Sequence, residues 1–239
     1  MTGQTTEMKK KNNAFSGLLF TALVCCFFLH APAHAVKKAD PRKDGLETAP
    51  KYQPGELISL LETHAKKIRS LRCDFTQEKI HPMFNRPLEF RGVIAFRRPD
   101  SLRWEYTAPI PSVIIIKDKR GKRCAGTGEA YEFSMDNDPV MAKFSSSLKR
   151  WLTGDYSALA DIFEISRPSE WSLFLRPKPD GNGMPAGFTI LVNIDPRTVA
   201  PSSLTIKGQN PAGIDTTTIR FESCLENPDI PETEFASCH

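Results

Sequence analysis

Between residues 88 and 106 the chain alternates apolar and polar positions with a period of two. Leu88, Phe90, Ile94 and Phe96 alternate with Glu89, Arg91 and Ala95, and Leu102, Trp104 and Tyr106 alternate with Arg103 and Glu105. Successive side chains of a strand point to opposite faces, so each run predicts a half-buried strand. The intervening Arg97-Arg98-Pro99-Asp100-Ser101 carries turn residues and predicts an antiparallel hairpin. Further strands are expected over Cys73 to Glu78, Trp171 to Leu175, Phe188 to Ile194, Ser203 to Ile206 and Thr216 to Phe221. Val113 to Ile116 is wholly apolar and predicts a strand covered on both faces. Lys119 to Lys122 and Pro177 to Gly183 read as turns.

Two segments change the period to that of a helix. Pro54 suits a first helical turn, and Leu57, Ile58, Leu61, Ala65 and Ile68 recur on one face, predicting a helix over Gly55 to Ser70. Asp138 and Pro139 form a helix start. Val140, Met141, Phe144, Leu148, Trp151 and Leu152 follow at helical spacing, and Gly154 ends the run. Ser157 to Phe163 is read as a short helical turn. Strands follow strands through short turns, which predicts one antiparallel sheet of about nine or ten strands. A sheet that large must curl. The helices then cover one mouth or face of it.

The first residues read as an export signal. Lys9-Lys10-Lys11 precedes an apolar run from Leu18 to Leu29, and Ala33-His34-Ala35 is a small-x-small cleavage site. The expected organisation is a cleaved signal over residues 1–35, a flexible leader over 36–55, one domain over 56–223 and a tail over 224–239. Cleavage removes three lysines and one glutamate from 32 basic and 28 acidic residues, leaving 29 against 27. So small an excess gives no electrostatic footprint for nucleic acid. Four cysteines remain: Cys73, Cys124, Cys224 and Cys238. In an exported chain they can pair in three ways. A local clip between Cys224 and Cys238 is the first expectation.

Catalytic motifs are missing. The remaining histidines are His64, His81 and His239, none near a second metal ligand at a useful spacing. Zincin, nucleophile-elbow and P-loop patterns do not occur. Gly126-Thr127-Gly128 lacks the third glycine and the helix of a dinucleotide site. Asp136 and Asp138 precede a helix, where capping accounts for them. An enzyme is not expected, and no cofactor is implied.

Phe75-Thr76-Gln77-Glu78-Lys79 after a helix, then Gly92-Val93-Ile94-Ala95-Phe96-Arg97-Arg98-Pro99-Asp100-Ser101-Leu102-Arg103-Trp104, then Pro109, resembles the periplasmic outer-membrane lipoprotein carrier family, LolA. The likeness continues through Leu152-Thr153-Gly154-Asp155 and Trp171-Ser172-Leu173-Phe174-Leu175. It implies an α+β fold: an unclosed, strongly curved antiparallel β-barrel or half-barrel with a helical lid over an apolar cavity. It implies a soluble, monomeric periplasmic carrier that takes acylated lipoproteins from an inner-membrane transporter to an outer-membrane acceptor. Phe90, Ile94, Phe96, Leu102, Trp104 and Tyr106 on the wall, and Met141, Phe144, Leu148 and Trp151 on the lid, are the candidate cavity lining. Arg98 aligns with the family's lid-latching arginine, whose fixed fork of donors suits helix carbonyls. Arg97 points to the other face. The chain departs from typical members at Gly121 to Gly126. Trp171-Ser172-Leu173 is similar to relatives accompanying lipid or polyketide export, so a glycolipid or polyene ester is the alternative cargo. A partner-binding sensor domain is the alternative of another class.

Overall fold

In the computed structural model, residues 53–126, 130–134, 136, 149–179, 187–210 and 213–238 are described. Eleven strands form one antiparallel sheet. They are β1 (Ser70–Ile80), β2 (Leu88–Arg97), β3 (Ser101–Ala108), β4 (Ser112–Lys117), β5 (Arg120–Ala125), β6 (Tyr131–Ser134), β7 (Phe163–Ser166), β8 (Ser172–Pro177), β9 (Phe188–Asp195), β10 (Ala200–Asn210) and β11 (Gly213–Glu226). Their order across the sheet is β6-β5-β4-β3-β2-β1-β11-β10-β9-β8-β7. Every neighbouring pair but one is sequential. The exception joins β1 to β11, with Phe75 opposite Phe221 and Gln77 opposite Ile219. β6 and β7 are the two free edges, so the barrel is unclosed.

The predicted hairpin is β2–β3, with Ile94 opposite Trp104 and Phe96 opposite Leu102. Gly92 lies in register with Phe75. A Cβ there would meet the Phe75 ring at 2.5 Å and the Glu105 carbonyl at 2.0 Å. The missing side chain lets Phe75 lie across the strand and pack on Trp104 and Tyr106, with ring centroids 5.1 and 5.4 Å away. Val113–Ile116 is covered on both faces. Ile114 and Ile116 join the inner core, whereas Val113 and Ile115 pack with Ile230 and Phe235 on the outer face.

Three expectations need correction. Lys119 to Lys122 is not all turn: Asp118 and Lys119 take left-handed φ values, and β5 starts at Arg120. Its half-polar composition hid the strand. The first helix, α1 (Pro54–Ala65), stops short of Ser70. Ile68 remains buried, but in a turn where its N–H donates to the Ala65 carbonyl at 3.0 Å. A buried side chain at the right spacing does not by itself keep the backbone helical.

The third correction concerns the cysteines. Cys73 pairs with Cys224, and Cys124 with Cys238. Cys224 lies on β11 beside β1, where the register slips between Arg72 and Asp74. The segment after β11 crosses the outer face to β5, carrying Cys238 away from Cys224. Arg97, Arg103 and Arg72 hold that segment: Arg97 bonds the Ile230 carbonyl and Glu232, Arg103 the Ser237 carbonyl at 2.8 Å, and Arg72 the Glu234 carboxylate at 2.6 Å.

Candidate ligand cavity and its latch

The concave side of the sheet encloses a largely apolar cavity of about 760 Å³, a size usual for ligand sites. Its walls come from both halves of the sheet order. Ile94, Trp104 and Tyr106 of β2–β3 face Val192, Leu204 and Ile219 of β9–β11, with Leu61, Ala65, Trp151 and Tyr156 closing one side. In a flat sheet, β3 and β9 would lie about 24 Å apart at ~4.8 Å per strand. Sharing one cavity requires the curl that the strand number predicts.

Residues 149–153 are helical. Their end is a Schellman turn: the Asp155 N–H donates to the Arg150 carbonyl at 2.9 Å, and Gly154 takes φ +78°. Gly154 is required twice over, because a Cβ there would also meet the Ala65 Cβ at 2.3 Å. Two helix C-termini thus converge. Arg98 fills the junction. Its Nε donates to the Ile68 carbonyl at 2.7 Å, and its Nη2 to the Ala65 carbonyl at 3.0 Å and the Thr153 carbonyl at 2.9 Å. The last carbonyls of a helix lack intrahelical donors and carry partial negative charge, so a guanidinium suits both ends. Arg97, one residue earlier, faces the outer side.

Ionisable groups gather around the cavity. His64 Nε2 lies 2.8 Å from Glu226 Oε1, and Arg197 lies 3.2 Å from Asp195; all four line it. Hydrogen bonds from Arg197 hold the Asp195 carboxyl below its ordinary range. Burial, aided by the Glu62 charge, pushes the Tyr156 phenol well up. Glu62 accepts from the Ser157 N–H at 2.6 Å. Burial resists its ionisation, yet the Ser157 donors and Lys66 carry its net shift downward.

Of the residues singled out by sequence, Ile94, Trp104, Tyr106 and Trp151 line the cavity. Phe96 and Leu102 are buried in the core cluster behind it, and Phe90 packs against that cluster. Met141, Phe144 and Leu148 lie outside the described residues. Sequence reasoning passed over Gln77 and the β9–β11 wall. The signal for Gln77 was available: it has the inward parity of Cys73 and Phe75. Among the described residues no group of His, Cys, Asp or Glu is arranged to hold a metal ion, and no helix is long and apolar enough to cross a membrane.

Several known proteins are similar to this chain. A 58-residue segment is 33% identical to the outer-membrane lipoprotein carrier protein of Dechloromonas aromatica, covering 24% of this chain and 28% of that protein. A LolA superfamily protein of Nitrosomonas europaea superposes with a TM-score of 0.47 at 9% identity, over 77% of this chain and 97% of the other. The lipoprotein LppX of Mycobacterium tuberculosis gives 0.43 at 10% identity, over 74% and 99%. Residues 66–238 match the family described as outer membrane lipoprotein carrier protein LolA. That span takes in all eleven strands and Arg98, and on it the chain belongs to the LolA family.

Proposed function

We propose that this protein is a soluble periplasmic carrier that hides the acyl chains of lipoproteins between an inner-membrane transporter and an outer-membrane acceptor. The observation that carries the reading is the apolar cavity closed beside two helix ends that one arginine, Arg98, ties together. Each methylene taken out of water contributes about 0.8 kcal/mol, so bare acyl chains cannot cross an aqueous compartment unaided. A cavity alone would hold them too well. Arg98 supplies the counterweight: its bonds belong to the empty, closed arrangement and favour release.

Mass spectrometry of the protein purified from periplasm tests this. Acylated lipoprotein should co-purify. A glycolipid or polyene ester in its place would overturn the lipoprotein cargo, and a full-length form resisting a high-salt membrane wash would overturn the soluble carrier.

A further inference from the structure

Most charged groups lining the cavity are paired. Among the described residues, two buried polar atoms are not. Gln77 is 2% exposed and Trp104 7%. Gln77 Oε1 accepts from the Tyr106 hydroxyl at 2.9 Å, which turns its Nε2 away from that contact. Gln77 Nε2 and Trp104 Nε1 are both fully buried and have no hydrogen-bond partner among the described residues. An indole N–H can only donate, and an amide nitrogen carries two donors. A buried donor left unmade costs the desolvation of the group, which is why nearly all are bonded. A ligand that satisfies both must bring acceptors into an otherwise greasy wall.

We infer that Gln77 and Trp104 donate to acyl carbonyls, so the cavity selects ester- or amide-linked acyl chains over plain hydrocarbon. The inference rests on the carrier reading and deepens it. A bare anion is a poor occupant, because burying a charge without a cation beside it is costly. Arg98 is committed to backbone carbonyls. A carbonyl within a hydrocarbon chain is neutral, accepts strongly and leaves the rest of the wall apolar. The Trp104 and Tyr106 rings both pack on Phe75, at 5.1 and 5.4 Å, and the Tyr106 hydroxyl reaches Gln77 at 2.9 Å, so one cluster of rings lies between the two donors. A ligand with two acyl chains can offer a carbonyl to each.

The test compares 1,2-dipalmitoylglycerol with its ether analogue 1,2-di-O-hexadecylglycerol, which keeps the chains and lacks the carbonyls. Each is titrated against protein loaded with N-phenyl-1-naphthylamine. The parent should prefer the diester by about tenfold or more. Trp104→Phe and Gln77→Leu should each cut that preference, read as the ratio of diester to diether affinity within each variant, about threefold or more. Gln77→Leu also removes an acceptor of the Tyr106 hydroxyl, so the Gln77→Leu/Tyr106→Phe pair is run beside it. Methyl palmitate against N-methylpalmitamide then tells ester from amide. The Trp104 indole N–H resonance gives a readout on the parent alone: it should move on adding diester and stay with diether. An equal preference in parent and variants, or an unmoved resonance with diester bound, overturns this inference and leaves the carrier reading standing. Failure of the parent to bind either lipid overturns both.

Discussion

The Arg98 Nη2 group and the Thr153 carbonyl oxygen lie 2.9 Å apart, 55 residues distant in sequence. The same nitrogen reaches the Ala65 carbonyl, so one guanidinium bridges the ends of two helices. Arg98→Leu removes these donors and adds apolar surface. The closed arrangement should lose about 1–3 kcal/mol, the range for hydrogen bonds to a charged group. Because a ligand shifts such an equilibrium by its differential affinity, apparent cargo affinity should rise and transfer to acceptor membranes should fail. Arg97→Leu should transfer cargo normally. Release from Arg98→Leu as ready as from the parent protein would refute the latch.

The Trp104 ring is part of the cavity wall. Trp104→Glu puts a carboxylate into a largely apolar wall, at a desolvation cost that apolar ligand does not relieve. Binding of a fluorescent fatty-acid probe should weaken at least tenfold at neutral pH. A folded variant with parental affinity would remove Trp104 from the binding surface.

The disulfides can be read chemically. Proteolysis without reductant should release one peptide pair carrying Cys73 with Cys224 and another carrying Cys124 with Cys238. The bridges span 151 and 114 residues, and chain-entropy arguments give about 4–5 kcal/mol for loops near that length. Cys124→Ser with Cys238→Ser should lower the denaturation midpoint clearly and expose the outer face of β4 to hydrogen exchange. A Cys224–Cys238 peptide would contradict the arrangement.

Glu62 adds an acid sensitivity. Its carboxyl ionises below the ordinary range because Ser157 donates to it. A depressed carboxyl stabilises the fold above its unfolded value, about 4.3, and loses that contribution as pH falls through the folded value. Glu62→Gln should therefore be less stable than the parent at pH 7, and the gap should close towards pH 3. A gap that is constant with pH in denaturant melts would show that the charge is not involved.

The sequence made the period-two runs legible because one face of each is apolar and the other polar or small, as in Ile94 and Trp104 against Ala95 and Arg103, although the C-terminal segment buries the latter pair as well. It also carried the rim position of Arg98 through the family motif. What it concealed is tertiary. The turn at Ile68 looks helical because its side chain is buried at helical spacing; only Arg98 and the start of β1 end the helix. β5 reads as polar because Arg120 and Lys122 sit near a free edge. The cysteine pairing depends on β1 lying beside β11, a contact that no local pattern encodes. Gln77 stood in plain view, but an isolated polar residue on an inward face gains meaning only once its described neighbours are known to leave its amide nitrogen unbonded.

The single non-sequential strand pair has a consequence for how the chain must come together. Nine of the ten neighbouring strand pairs are sequential, and local pairings of that kind form quickly. β1 is different on one side. As the chain is made from its N-terminus, that edge of β1 waits for β11 while residues 81–212 are still being delivered. Until then it is an open template for pairing with another chain. The last strand made is the one that shields the first, and the disulfide between Cys73 and Cys224 then locks the two ends of the assembly line together.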